Sequence, residues 1–106
     1  MDTRRVEIQF RHLPPSDAIK EAVRRFFNKL NGLPCSIERC SVRLASERAE
    51  PLCGGPYFVH VEVEMQGQEL AIDQASDVDV YVALLNALRD MHEMVRAAGL
   101  KRRCAA

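Results

Sequence analysis

A chain of 106 residues, 47% hydrophobic and 28% charged, can bury the core of one domain without disulfides or a metal and is too short for two. Its apolar runs fall well short of the roughly 20 residues that span a bilayer, and MDTRRVEIQF lacks a signal peptide's hydrophobic stretch, so a cytoplasmic protein with no membrane partner is expected. The zero net charge conceals polarity, with ten Lys/Arg and six Asp/Glu in residues 1–48, one Arg against nine acids in 49–95, and four basic residues in 96–106; fields act over about 8–10 Å, so a chain neutral in total can carry a basic patch for a polyanion.

RRVEIQFR alternates Val6, Ile8 and Phe10 with Arg5, Glu7, Gln9 and Arg11, the pattern of a half-buried strand. LPPS breaks it, and Ser16 is placed to cap a helix with Asp17 in its first turn, running to about Leu30 and stopped by Gly32. Ile19, Ala22, Val23, Phe26, Phe27 and Leu30 form one buried face. Lys20 and Arg24 then occupy one shoulder of the helix and Arg25 and Lys29 the other, and the helix phase alone does not say which shoulder meets a neighbour.

IERCSVRLAS is a second strand, with Cys40, Val42 and Leu44 inward and Arg39, Ser41 and Arg43 outward. Residues 45–56, with Pro51, Gly54, Gly55 and Pro56, read as a loop. YFVHVEVEM is the clearest strand, and a turn at Gln66 and Gly67 leads into QELAIDQA, a shorter strand burying Leu70 and Ile72. A second long helix begins at Ser76 or Asp77, carries Asp79 in its first turn and stops at Gly99, with Tyr81, Leu84, Leu85, Leu88, Met91 and Val95 buried. The order β-α-β-β-β-α predicts an α+β two-layer sandwich: a parallel crossover, an antiparallel meander, and both helices on one face of a four-stranded sheet. Residues 1–106 are expected to form a single domain with a short basic C-terminal tail, 100–106.

Little here supports catalysis. The thiols Cys35, Cys40, Cys53 and Cys104 lack zinc-site spacing and are expected to be reduced and unpaired, with no metal and no cofactor. His60 lies on the outward face of a strand, His92 at the edge of an apolar stripe and His12 after a strand end, and none forms a triad. CGGP at 53–56 lacks the context of a phosphate-binding loop. Glu62, Glu64, Glu69 and Asp73 share the exposed sheet face as a solvated acidic surface. The remaining signal is basic: Lys20, Arg24, Arg25, Lys29, Arg89, Arg96, Lys101, Arg102 and Arg103 lie on or just beyond the two helices. They are expected to merge into a continuous positive layer.

VEIQFRHLPPSDAIKEAVRRFFNKL and HVEVEMQGQELAIDQASDVDVYVAL, the latter with Asp79, Tyr81 and Ala83 opening the last helix, resemble the ribosome hibernation promoting factors, also called ribosome-associated inhibitors or sigma 54 modulation proteins. The likeness runs from Val6 to about Ala98 and is to the short form. It implies a fold similar in shape to double-stranded RNA binding domains and a non-enzymatic translation inhibitor that occupies the small ribosomal subunit during stress. Its partners would be that subunit and its RNA, met by the nine basic residues named above, with no small-molecule substrate. The alternative is a same-fold protein-interaction or regulatory module, working through the acidic sheet face, that does not bind the ribosome.

Overall fold

A computed structural model describes residues 6–32, 37–46, 56–65, 67–76 and 79–105, with side chains as far as residue 99. Strands β1 (Val6–Arg11) and β2 (Ile37–Ser46) pair in parallel because helix α1 (Asp17–Asn31) makes the crossover between them. Strands β3 (Tyr57–Met65) and β4 (Gln68–Ser76) continue antiparallel, and helix α2 (Val80–Ala105) closes the chain. The sheet order β1-β2-β3-β4 is the sequence order, as the predicted meander requires.

Alternation within each strand and register between strands align the apolar side chains in rows. Ile8, Val42, Val61 and Ile72 face one another across all four strands, and Val6, Cys40, Val63 and Leu70 form the next row. Helix α1 packs on β1 and β2, helix α2 on β3 and β4, and each touches the other, so one face of the sheet is covered. Val23, Leu30, Leu44, Met65, Leu84 and Met91 are fully buried in this single core. Cys40 is the one described thiol; it is unpaired, and burial pushes it up to about 12, which leaves it inert. Cys35, Cys53 and most of the predicted 45–56 loop lie outside the described residues, as does the side chain of Cys104.

Local signals set the first helix. The Ser16 hydroxyl accepts from the Ile19 N–H at 3.4 Å, Asp17 and Lys29 suit the two ends of the dipole, and the Gly32 N–H donates to the Lys29 carbonyl at 3.1 Å. Four expectations need correction. Strand β4 equals β3 at nine residues, and Leu70 and Ile72 are only half-buried because β4 is an edge strand. Ser76 closes β4 rather than opening a helix, and Asp79 caps α2, its carboxylate accepting from the Tyr81 N–H at 2.9 Å; Asp77 lies outside the described residues. Gly99 does not stop α2: it is buried one turn beyond Val95, and the helix continues to Ala105, so residues 101–103 stand on its last turns and not in a tail. Leu85 is 44% exposed, because Ala83 and Ala87 turn to the sheet in its place and let the helix approach closely. Among the described residues no helix is long and apolar enough to cross a membrane.

Candidate nucleic-acid interface

The helices lie side by side and leave a groove of about 520 Å³ between them. Its floor is apolar, from Ala22, Phe26, Tyr81, Leu85 and Leu88, and its rim carries Arg25, Lys29 and Arg89 together with Glu21, His92 and Glu93. Spacing of three and four residues brings Ala18, Glu21, Ala22, Arg25 and Lys29 to the same side of α1, which identifies the shoulder that meets α2. Lys20 and Arg24 occupy the opposite shoulder and do not line the groove. Of the predicted basic set, the structure therefore joins Arg25, Lys29 and Arg89. Arg96 is exposed farther along α2, and the side chains of Lys101, Arg102 and Arg103 lie outside the described residues.

Among the described side chains the positive layer is not continuous, because neighbouring acids interrupt it. Glu21 holds both Arg24 at 2.8 Å and Arg25 at 3.4 Å, Asp90 lies 3.5 Å from Arg89, and Glu93 binds Arg96 at 2.7 Å. The last pair holds the Glu93 carboxyl below and the Arg96 guanidinium above its ordinary value, through their hydrogen bond first and their charge attraction second. All these pairs are exposed. Water and salt screen such pairs, so a phosphate can displace the carboxylate at little cost. Lys20 and Lys29 form no ion pair with a described residue.

A family model for the sigma 54 modulation protein / S30EA ribosomal protein matches residues 6–103. The chain belongs to this family. Its fold is similar to the crystal structure of the Thermus thermophilus Protein Y N-terminal domain, with a TM-score of 0.69 and 18% identity over 86% of this chain and 93% of that one. It is also similar to a ribosomal subunit interface protein from Coxiella burnetii, with a TM-score of 0.64 and 17% identity over 88% of this chain and 94% of that one. No curated protein sequence matches the chain.

In this family member the outer face of the sheet carries charge of both signs, the outward Arg11, Arg39 and Arg43 sharing it with the acids. Glu62, Glu64, Glu69 and Asp73 occupy the β3–β4 half as expected, but Arg39 and Arg43 occupy β2 and Arg11 the end of β1. His60 stands between two of the acids. Its Nε2–H donates to Glu62 Oε1 at 2.8 Å and its Nδ1–H to Asp73 Oδ1 at 2.6 Å. With both nitrogens engaged as donors the ring is a charged strut between β3 and β4 and has no free lone pair for base chemistry. No group of three or more His, Cys, Asp or Glu suited to a metal ion occurs among the described residues. His92 is half-buried on the groove rim, and His12 donates from Nδ1 to the Ser46 carbonyl at 3.3 Å.

The hydrogen bond to Glu62, then that to Asp73, and the nearby carboxylate charges raise the His60 pKa above its ordinary value. Arg43 is the charged group opposite it on β2. A folded-state pKa above the unfolded value of about 6.5 means that the strut's stabilisation is complete below that pH and is lost as pH rises through the raised value. The thermal unfolding midpoint of wild type relative to His60→Gln therefore falls across that window, and the two proteins converge at alkaline pH. A difference that stays constant with pH would contradict a charged His60.

Proposed function

We propose that this chain is a non-enzymatic ribosome-associated protein that docks on the small ribosomal subunit through the groove between its helices and keeps the ribosome idle. The single observation that carries this reading is the meeting of Arg25 and Lys29 of α1 with Arg89 of α2 around one groove. Three cations from two helices converge on one groove where they can contact a phosphate backbone, and the apolar floor beneath them accepts the sugar edge or an unstacked base. Family membership supports the ribosome as the partner, as does the likeness to a protein described as a ribosomal subunit interface protein. Arg96, Lys20, Arg24 and residues 101–103 add long-range attraction and widen the contact, and the cytoplasm is where such a partner is met.

Co-sedimentation with isolated small subunits tests this. Wild type should pellet with the subunit at low salt and progressively less as salt rises, since counterion release steepens the dependence. Arg24→Glu combined with Arg25→Glu, which reverses one cation on each shoulder, should remain in the supernatant. The reading fails if neither protein travels with the subunit or if both do so equally.

A further inference from the structure

The layer opposite the helices presents a second surface that the groove does not use. Register places Arg11, Ala45, Phe58 and Ala75 in one row across the outer face, and Gln9, Arg43, His60 and Asp73 in the next. Phe58 is 45% exposed, one of three large apolar side chains so exposed among the described residues, and both of its cross-strand partners are alanines. The ring thus stands clear of its neighbours. A concavity of about 630 Å³ runs past it and is bordered by Arg11, Arg43 and His60.

Two features set this region apart from the rest of the charged surface. Arg11 and Arg43 form no ion pair with a described residue, whereas Arg24, Arg25, Arg89 and Arg96 on the helices each have one. Among the described acids of this face the one nearest Phe58 in register, Asp73, is paired with His60, so its charge is offset where a phosphate would pass. At the other end of the face Glu64 and Glu69 sit side by side with one cation, Arg39, opposite Glu64, so the acids outnumber the cation there. An anionic strand is therefore attracted to the Phe58 end and repelled from the far end.

We propose that this face is a stacking platform for single-stranded RNA, with one base on the Phe58 ring and flanking phosphates on Arg11 and Arg43. A flat exposed aromatic offers a stack to any unpaired base, and a duplex has none to give. The site lies on the opposite layer from the groove, so the domain binds RNA on two faces and fits a cleft between two RNA surfaces.

The test uses the full chain carrying Arg25→Glu and Lys29→Glu, which silences the groove, and a fluorescein-labelled eight-nucleotide uridine RNA read by anisotropy at low salt. This protein should bind the single strand more tightly than a duplex of equal length. Adding Phe58→Ala should weaken binding about tenfold, Phe58→Leu should weaken it similarly while keeping apolar area, and Phe58→Tyr should preserve it. Arg11→Gln with Arg43→Gln should lower the slope of log affinity against log salt by about 1.4, the loss of two single-strand phosphate contacts. The proposal is overturned if Phe58→Ala and Phe58→Leu bind like their parent, or if duplex and single strand bind alike. It is equally overturned if no single strand binds while Phe58→Ala loses small subunits, which would make the face a protein contact. The single-strand and duplex results do not depend on whether the helix groove binds the subunit, and the subunit comparison is made with Phe58→Ala in the otherwise unaltered chain.

Discussion

Arg25→Glu combined with Lys29→Glu weakens binding to the small ribosomal subunit on the order of 100-fold, whereas Lys20→Glu combined with Arg24→Glu weakens it only several-fold. The two pairs carry the same charge change on the same helix, so a general loss of positive charge would make them equivalent. The groove separates them. Arg25 and Lys29 face Arg89 across it, and removing them leaves one cation where three had converged. Lys20 and Arg24 point away and contribute only through the long-range field, which salt screens within about 8–10 Å. Affinity titrations of the two double variants at two salt concentrations separate these contributions, because the groove pair should also flatten the salt dependence by about two phosphate contacts. Folding is not at issue, since all four side chains are exposed.

Leu84→Ala lowers the free energy of unfolding by about 3 kcal/mol, and Leu85→Ala changes it by no more than about 0.5 kcal/mol. The two leucines are adjacent, yet Leu84 is fully buried and Leu85 is 44% exposed on the groove floor. Truncating Leu84 removes transfer free energy and leaves a cavity between α2 and the sheet. For a domain of this size that is a large share of the roughly 5–15 kcal/mol available. Urea unfolding of both variants checks the helix phase directly. Equal losses would return Leu85 to the core and close the groove as described.

The two hydrophobic periods explain why so much of the fold was legible. Strict alternation marked β1, β2 and β3, and steps of three and four marked α1, because each period is incompatible with the other. Helix α2 was harder. Its alanines are as compatible with the sheet as its leucines, so Leu84 and Leu85 competed for the stripe, and only packing showed that Ala83 and Ala87 permit close approach. Gly99 carries a stop signal by composition, but burial on the continuing apolar face outweighs the cost of about 1 kcal/mol for glycine in a helix. Which shoulder of α1 meets α2 depends on how two helices cross a sheet, a tertiary quantity absent from either helix alone.

The patch around Phe58 on the sheet face is not legible in the sequence for a different reason. Arg11 and Arg43 are far apart in sequence, and only the parallel register of β1 with β2 brings their rows together. His60 with Asp73 could have been found, since the turn before Gln68 pairs Met65 with it and so fixes His60 opposite Asp73. Gly67, at φ 76°, marks that turn in the sequence.

The most direct measurement of the central claim places a photo-crosslinking side chain at Ala18, an exposed position on the wall of the groove. After irradiation with small ribosomal subunits, the adduct should form with ribosomal RNA and disappear in the Arg25→Glu, Lys29→Glu background. An adduct confined to ribosomal proteins, or RNA adducts unaffected by those two reversals, would contradict a cationic groove between the helices as the RNA contact.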